Sequence, residues 1–286
     1  MQTDSKTPEV SIVIPVYNEA ECLPKLAERI IESLKNLNRS YECVLVNDGS
    51  RDRSAEIMQA IASQHEEFRC IHLRRNFGQT AALMAGFDHS DGSIVITMDA
   101  DLQNDPQDIP MMLDYIDQGY DLVSGWRKNR QDSFIRNIPS AIANKIIGRV
   151  TGVQIHDSGC TLKAYKREIL KDLRLYGEMH RFIPALASWM GIRLIEVPVK
   201  HHSRKYGESK YGISRTFRVI LDLLTVKFLL SYSSSPIQMF GKFGYLVSFG
   251  GWMFLLAAVI LKIISQRTLT GNPLFYLFIL MQMTAV

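Results

Sequence analysis

The first half of the chain alternates short apolar runs with amphipathic segments of helical period. Turn residues bound the apolar runs, which is typical of buried strands, and the segments between them are long enough for helices. This alternation predicts an α/β protein with a mostly parallel, doubly wound sheet. The predicted strands, with the polar residues that end the first two, lie within residues 10–19, 41–50, 68–73, 93–98 and 121–125, and the predicted helices cover residues 23–37, 54–65, 80–90 and 106–118.

Polar side chains follow several of these predicted strands at the point where each strand ends. They are Tyr17 and Glu19 after the first strand, Asp48 after the second, and Asp99 and Asp101 after the fourth. The carboxyl ends of parallel strands meet at one edge of a sheet, and doubly wound sheets bind their ligands there. We therefore expect these side chains to surround one crevice.

The stretch SIVITMDADLQNDPQDIP places Asp99, Asp101 and Gln103 at alternate positions after an apolar run. Alternate residues of an extended segment point the same way, so these three side chains could share one ion. Neighbouring carboxylates repel each other unless a cation offsets their charge, and oxygen ligands suit Mg²⁺ or Mn²⁺. The sequence predicts a divalent-cation site here, and a solvated acidic loop is the alternative.

The C-terminal part of the chain has the composition of a membrane segment. From residue 233 onward there is no Asp or Glu, and residues 243–261 carry no charge at all. Such a run is about long enough to cross a hydrocarbon core. We expect a cytosolic domain over residues 1–232 and a transmembrane region over 233–286. The latter would hold one helix at about 243–264 and, at about 273–286, the start of a second that the chain cuts short.

Two segments of the cytosolic part combine an apolar face with cations, at about residues 134–150 and 213–230. This combination favours helices that lie at the lipid headgroups, although ordinary packing against the sheet is the alternative.

Composition narrows the function classes further. The formal net charge of +4 gives little support to nucleic-acid binding, and the four cysteines lack the spacing of a zinc site or a disulfide framework. The N-terminus has no apolar stretch of the kind found in signal peptides, so we expect the catalytic part to face the cytosol at the inner membrane.

The chain carries six motifs in the order SIVIPVYNE, VNDGSRDRS, NFGQTAALMAGF, MDADLQNDP, DSGCTLKAY and RKYGESKY. They follow one another as they do in family 2 glycosyltransferases of the polyprenyl-phosphate type. The chain resembles dolichyl-phosphate mannose synthases, and more closely the bactoprenol-phosphate glucosyltransferases and undecaprenyl-phosphate aminoarabinose transferases that carry a transmembrane tail. The resemblance covers about residues 8–235. It implies a GT-A fold, a nucleotide-sugar donor, a divalent cation, inversion at the anomeric carbon and a lipid phosphate acceptor.

The resemblance also implies roles for individual residues. It assigns the donor's diphosphate and its cation to Asp99, Asp101 and Gln103. It also makes Asp101 a catalytic residue and Asp157 the catalytic base. A phosphate monoester is largely ionised at neutral pH, so the acceptor can attack without a base and Asp157 could instead orient the acceptor or the sugar. The donor nucleotide would lie near Pro15, Tyr17, Glu19, Asp48 and Asp99.

The stretch HHSRKYGESKY interleaves cations with small residues and matches the family's active-site loop. We expect Arg204, Ser209 and Lys210 to bind phosphate, with Arg204 also catalytic, although a solvated basic loop is the alternative. Arg127 and Arg130 follow the fifth predicted strand and are candidates for binding the acceptor phosphate.

These observations favour a membrane-bound inverting glycosyltransferase that moves a hexose to polyprenyl (undecaprenyl) phosphate. We expect UDP-glucose as the donor, with GDP-mannose or UDP-aminoarabinose as alternatives. A processive polysaccharide synthase is a further alternative, but the chain lacks the QxxRW motif of those enzymes. A non-catalytic membrane scaffold is the remaining one. The expected partners are the donor, the lipid phosphate and the bilayer, and the membrane region could also mediate homo-oligomer contacts.

Overall fold

The computed structural model describes residues 7–35, 37–128, 148, 152–203, 214–232, 235–265 and 268–285, with only the backbone for 214–220 and 230. The chain forms two compact units, Met1–Val226 and Lys227–Val286. The predicted helix at about 134–150 lies outside the described residues except for Gly148.

The strands of the first unit form a single sheet. They are β1 (Val10–Val16), β2 (Tyr41–Asn47), β3 (Phe68–His72), β4 (Ile94–Thr97), β5 (Leu122–Trp126), β6 (Lys163–Lys166) and β7 (Leu194–Pro198). Among the described residues, seven strands pair in the order β3-β2-β1-β4-β6-β5-β7. All pairs are parallel except those of β6, which runs antiparallel to β4 and β5. The predicted α/β fold with a mostly parallel sheet is thus confirmed.

Helices connect most of these strands. They are α1 (Leu23–Leu34), α2 (Ser54–Gln64), α3 (Gln79–Asp88), α4 (Ile109–Asp117), α5 (Arg167–Lys171), α6 (Ile183–Ser188) and α7 (Ser214–Tyr232). Short 3₁₀ turns precede α4 at Pro106–Asp108 and α6 at Met179–Phe182. The helix predicted over 106–118 therefore begins as a 3₁₀ turn, with Asp105 capping it by accepting a hydrogen bond from Gln107 N.

The central strands are buried on both faces, which explains why their sequences are continuous apolar runs. Ile12 and Ile14 of β1 belong to one core cluster with buried side chains of α1, α2 and α4. Val13 faces α3, where Gly86 lets the helix approach so closely that an added Cβ would stand 2.2 Å from Val13 Cγ1. Helices therefore cover both faces of the sheet.

The segment predicted as the second interfacial helix forms α7. Its described side chains alternate between burial at Leu223 and Val226 and exposure at Leu221 and Leu224. Asp222 accepts a hydrogen bond from Glu178 N at 2.7 Å, which ties this helix to the turn before α6. Binding at the lipid headgroups remains a prediction for this helix.

The second unit contains α8 (Pro236–Ser265), a short 3₁₀ turn (Leu269–Gly271) and α9 (Pro273–Ala285). Over Pro236–Ile264, α8 is long and apolar enough to cross a membrane. It begins before the predicted start at about 243, because Pro236 suits the first turn of a helix. The shorter α9 covers the second predicted segment.

The two helices of this unit pack antiparallel through small residues. An added Cβ at Gly244 would stand 2.5 Å from Ala285 O, and one at Gly251 would stand 2.5 Å from Gln282 Nε2. Gln282 also donates from Nε2 to Ser248 O at 3.0 Å and accepts from Ser248 Oγ at 2.8 Å. Close backbones joined by side-chain hydrogen bonds are typical of helix pairs in membranes.

Candidate active site

The strand order brings the predicted site residues to one edge of the sheet. β4 is parallel to β1, and β5 has the same direction as β4 because both are antiparallel to β6. The carboxyl ends of β1, β2, β4, β5 and β7 therefore share this edge. Pro15 lies within β1 opposite Val46, and the partly buried Tyr17 follows directly after the strand.

The loops after β1 and β2 are fastened to each other. Asn18 N donates to Ser50 Oγ at 3.0 Å, and Arg51 N donates to Asn18 Oδ1 at 2.7 Å. Glu19 N donates to Ser54 Oγ at 2.9 Å. Asn18 has a positive φ of 51°, a conformation that asparagine tolerates better than most residues. These bonds fix the backbone around the predicted nucleotide-binding residues.

Asp48 is buried and holds the loop that leads into α3. Its Oδ1 accepts from Phe77 N at 2.7 Å, and its Oδ2 accepts from Gly78 N at 2.9 Å and from Asn76 Nδ2 at 3.0 Å. Burial raises the pKa of Asp48, and the two backbone hydrogen bonds partly offset this effect. The structure thus places Asp48 at the predicted edge but engages its carboxylate in shaping a loop.

Asp99 and Asp101 lie together beyond the end of β4. Asp99 is partly buried and accepts a hydrogen bond from Gln79 Nε2 at 2.7 Å, whereas Asp101 is buried. Burial, and after it the negative charge of Asp101, raises the pKa of Asp99 to about 6. A pair of carboxylates that disfavours its own full ionisation favours a bound cation.

The acidic segment is not extended as expected. β4 ends before Asp99, and Leu102 has a left-handed φ of 62°, so the chain turns between Asp101 and Gln103. Gln103 nevertheless stays beside Asp101, because Gln103 N donates to Asp101 Oδ1 at 3.1 Å. Its side-chain Nε2 donates to His202 O at 3.5 Å. The turn, rather than strand alternation, keeps Gln103 next to the carboxylates.

The residues after β7 form hydrogen bonds with this turn and with the segment that follows it. His202 N donates to Gln103 O at 2.9 Å, and His202 Nε2 pairs with Asp105 Oδ2 at 2.9 Å. Lys200 N donates to Asp108 Oδ2 at 2.7 Å. The start of the predicted basic loop is therefore anchored beside the acidic pair.

The oxygen atoms at this site suit a divalent cation that takes its remaining ligands from substrate and water. Among the described residues, no group of three or more His, Cys, Asp or Glu side chains could enclose a metal. Mg²⁺ commonly binds proteins through only one or two carboxylates and takes its other ligands from water and substrate phosphates. Asp99 and Asp101 meet that requirement, with Gln103 as a neighbouring oxygen donor.

Arg127 and Asp157 form a buried pair at the carboxyl end of β5. Arg127 Nε donates to Asp157 Oδ2 at 2.7 Å, and Nη2 donates to Oδ1 at 2.9 Å. Burial disfavours the charged guanidinium, but the hydrogen bonds and charge of Asp157 outweigh it and hold the pKa of Arg127 above its ordinary value. A carboxylate engaged in this way is suited to orienting a partner and is a weakened base.

The remaining predicted site residues are Arg130, Arg204, Ser209 and Lys210, and they lie outside the described residues. Three residues that the sequence analysis did not select also contact the site. Gln79 binds Asp99, while Lys163 and Glu196 bind the segment that carries Asp157. Gln79 and Lys163 lie within two of the quoted motifs, but no sequence feature marks any of the three residues as a contact of the site.

A model of glycosyl transferase family 2 matches residues 11–174 of the chain. The chain belongs to glycosyltransferase family 2. As a member of this family it is a glycosyltransferase, and the predicted enzyme class is confirmed.

Two curated relatives are similar over most of the chain. The dodecaprenyl-phosphate galacturonate synthase of Rhizobium johnstonii is 47% identical over 241 residues, covering 82% of this chain and 71% of the relative. The undecaprenyl-phosphate 4-deoxy-4-formamido-L-arabinose transferase of Proteus mirabilis is 39% identical over 284 residues, covering 99% of this chain and 86% of the relative. The resemblance to polyprenyl-phosphate sugar transferases is therefore confirmed.

The glycosyltransferase also shares its fold with a solved enzyme. Glucosyl-3-phosphoglycerate synthase from Mycobacterium tuberculosis, in complex with Mn²⁺, UDP and glucosyl-3-phosphoglycerate, superimposes with a TM-score of 0.60 at 15% identity. The match covers 78% of this chain and 80% of that chain. The same enzyme with Mg²⁺ and UDP gives a TM-score of 0.60 at 19% identity, over 77% of this chain and 79% of that chain. This likeness confirms the predicted GT-A fold.

Proposed function

We propose that this family 2 glycosyltransferase transfers a sugar from a nucleotide-sugar to a polyprenyl phosphate at a membrane. The proposal rests above all on the sheet edge where the Asp99–Asp101 pair lies with the Arg127–Asp157 pair. The first pair suits a cation-bound diphosphate, and the second suits an anionic acceptor. The names of the two curated relatives, both polyprenyl-phosphate sugar transferases, support this acceptor.

The reaction exchanges one bond at the anomeric carbon of the sugar. An oxygen of the acceptor phosphate forms a bond to that carbon, while the bond to the donor's diphosphate oxygen breaks and the nucleoside diphosphate leaves. The acceptor phosphate is largely ionised at neutral pH, so its attack needs no proton removal. Attack from the face opposite the diphosphate inverts the configuration.

The residues of this chain position the two reactants. The fastened loops around Asn18 and Ser50, together with Asp48, would hold the nucleotide at the ends of β1 and β2. A divalent cation on Asp99 and Asp101 would neutralise charge that develops on the departing diphosphate. Arg127, fixed by Asp157, would attract the acceptor phosphate to the end of β5. Arg204, Ser209, Lys210 and Arg130 remain proposed phosphate ligands.

A membrane-bound site would give the enzyme access to an acceptor that stays in the bilayer. A polyprenyl chain is held in the bilayer by about 0.8 kcal/mol for each buried CH₂ group, so the enzyme must come to the lipid. We propose that residues 233–286 anchor the catalytic domain of residues 1–232 at the cytosolic face of the inner membrane. The apolar α8 supports the anchor.

The donor is the finer part of the proposal. The relatives are named for galacturonate and 4-deoxy-4-formamido-L-arabinose and not for glucose, so they give no support to the expected UDP-glucose. We propose a donor of the uronic acid or amino-pentose class. UDP-glucose and GDP-mannose then serve as competing donors in the test.

The test is a transfer assay with the full chain in membranes. Undecaprenyl phosphate, Mg²⁺ or Mn²⁺ and one radiolabelled donor are incubated, and label is counted in the organic phase. The donor panel contains UDP-galacturonate, UDP-4-deoxy-4-formamido-L-arabinose, UDP-glucose and GDP-mannose. We expect one of the first two to label the lipid, and Asp101→Asn to abolish the signal. Label that enters a long water-soluble polymer, or no labelled lipid with any donor, would overturn the proposal.

A further inference from the structure

We infer that Lys163 and Glu196 are positioning residues that together hold Asp157 against Arg127. This inference deepens the proposed function, on which its catalytic readout rests. Both residues have ionisable side chains, both come from strands of the sheet, and neither hydrogen-bonds to the side chains of the Asp99–Asp101 or Arg127–Asp157 pairs. Their partners are instead the backbone groups of residues 156–160, which we call the Asp157 loop.

Lys163 donates hydrogen bonds to two backbone carbonyl groups of this loop. It is only 3% exposed, although it is a lysine in the first position of β6. Its ammonium group donates to Ser158 O at 3.4 Å and also to Cys160 O. Lysine is almost never fully buried without a partner, and burial lowers the pKa of Lys163, so the two carbonyls are the partners that make this position tenable.

Glu196 holds the amide groups of the same loop. Its Oε2 accepts from His156 N at 2.9 Å and from His156 Nδ1 at 2.8 Å, and its Oε1 accepts from Asp157 N at 3.1 Å. The imidazole of His156 also stacks on Trp126, with ring centroids 4.6 Å apart. The loop is therefore fixed on both sides of Asp157.

The sheet register places Lys163 and Glu196 in one row, on either side of Ser124. Ser124 of β5 lies opposite Lys163 in one direction and opposite Glu196 in the other. Opposite residues of neighbouring strands point to the same face, so a cation and an anion rise from one row of the sheet. The cation binds carbonyls and the anion binds amides, which matches the polarity of each backbone group. Together they hold the loop in the position where Asp157 accepts two hydrogen bonds from the Arg127 guanidinium.

Energetics favour a functional reading of this row. A buried charge in a sheet is costly, and apolar residues of similar size would stabilise the fold at least as well. The same charges become useful when a reacting group must be held within a fraction of an ångström, because small displacements there slow a reaction strongly. Lys163 and Glu196 act on the reaction through Asp157.

The test compares Lys163→Met and Glu196→Gln with Lys166→Met in the full-length protein. Lys166 lies in the same strand but pairs with Asp121, outside the loop, and so serves as the matched control. Three quantities are measured: the affinity and stoichiometry of UDP binding with Mg²⁺, the turnover for lipid labelling per UDP-binding site, and the alkylation rate of the buried Cys160 by N-ethylmaleimide.

We expect Lys163→Met to lower turnover per site by about 100-fold, the scale of a misplaced catalytic group, while UDP binding keeps its affinity and stoichiometry. Cys160 should react several-fold faster, because its carbonyl loses the lysine that holds the loop. Glu196→Gln should show a smaller loss of turnover, since an amide oxygen can still accept one of the N–H bonds. Lys166→Met should change none of the three.

Unchanged turnover and unchanged Cys160 alkylation in both Lys163→Met and Glu196→Gln would overturn the inference. So would a parallel loss of UDP-binding sites and turnover in both, which would indicate a general loss of folding. If Lys163→Met does not fold, the isosteric Glu196→Gln decides the matter. If the wild-type protein labels no lipid with any donor, the proposed function fails, while the alkylation rates still decide whether these residues hold the loop.

Discussion

Asp48 illustrates at the residue scale how one carboxylate can organise a binding surface. It accepts hydrogen bonds from three consecutive residues, and the loop that it fixes leads directly to Gln79, which binds Asp99. The carboxylate therefore connects the predicted nucleotide end of the crevice with its acidic pair. A residue predicted to contact the nucleotide therefore also shapes the loop beside the predicted nucleotide site.

Asp48→Asn should destabilise the protein and weaken nucleotide binding. An amide has one acceptor oxygen where the carboxylate has two, so a buried N–H group loses its partner at a cost of about 1–3 kcal/mol. Thermal unfolding and UDP binding measure the two effects. Asp88→Asn, at an exposed position at the end of α3, is the control and should leave both unchanged. Equal behaviour of the two variants would contradict the role of Asp48.

The Arg127–Asp157 pair should show strong coupling in a double-mutant cycle. Each single change to leucine leaves a buried charge without its partner, which costs about 3–5 kcal/mol. The double variant should be less destabilised than the sum of the singles, since neither charge remains. Denaturant unfolding of the four proteins gives the coupling energy. Strict additivity would show that the pair contributes no interaction of its own.

At the scale of elements, the antiparallel strand β6 distinguishes this sheet from a purely parallel one. It is four residues long, it runs against both neighbours, and its first residue is the buried Lys163. The start of this strand therefore lies at the same edge as the ends of β4 and β5. That placement delivers the Asp157 loop to the crevice.

Asp121 ties the opposite ends of these strands together, and its effect should depend on pH. The carboxylate pairs with Lys166 Nζ at 2.7 Å and accepts from Arg193 N at 2.8 Å. Burial opposes ionisation, but these hydrogen bonds outweigh it and lower the pKa of Asp121 below its ordinary value of 3.8. The stabilisation is thus present above pH 3.8 and is lost as the pH falls through the lowered value.

Asp121→Asn should therefore be less stable than the wild type at pH 7, and the difference should shrink as the pH falls below 3.8. Unfolding midpoints across this range measure it. Lys166→Met at the same pH values should show the same trend, because it removes the other half of the pair. A difference that stays constant with pH would refute the assignment.

Gly86→Ala should destabilise the packing of α3 on the sheet. The added methyl group would stand 2.2 Å from Val13 Cγ1, and overpacking of this kind costs about 1–3 kcal/mol. Val13→Ala in the same chain removes the obstructing methyl groups and should recover part of the loss. Thermal unfolding of the single and double variants is the measurement, and a stabilised Gly86→Ala would contradict it.

The long apolar strands and the amphipathic helices could be predicted from sequence because burial on both faces leaves a continuous signal, as in β1 and β2. β6 could not, since four residues that include a buried lysine match no period. The Asp99–Asp101 pair was predicted from its position after a strand. The turn at Leu102 was not, because a left-handed leucine has no local signature. Gln79, Lys163 and Glu196 depend on contacts between distant segments, which a single sequence does not display.

At the scale of the whole molecule, an α/β unit and a pair of apolar helices share one chain. The N-terminal unit holds the sheet and the carboxylate pairs, and the C-terminal unit holds α8 and α9. Large side chains on α8 such as Phe249, Met253 and Leu256 are more than half exposed. Such a surface is stable only when lipid or another apolar partner covers it.

Met253→Arg combined with Leu256→Arg should release the protein from the membrane. Each arginine near the centre of a spanning helix costs about 2.5–3.5 kcal/mol of insertion free energy. Extraction with alkaline carbonate should free the double arginine variant, while isoleucine at the same two positions should stay with the lipid fraction. Retention of both variants would show that α8 does not span the bilayer.

The reversed direction of β6 also determines which length changes the enzyme could tolerate. Residues added between Asp157 and Lys163 would enlarge a loop at the crevice and shift Asp157 relative to Arg127. They would leave every strand pair intact. Residues added after Lys166 would emerge on the far side, remote from the chemistry. A short insertion scan across this strand should therefore separate variants that fold but do not turn over from variants that do both.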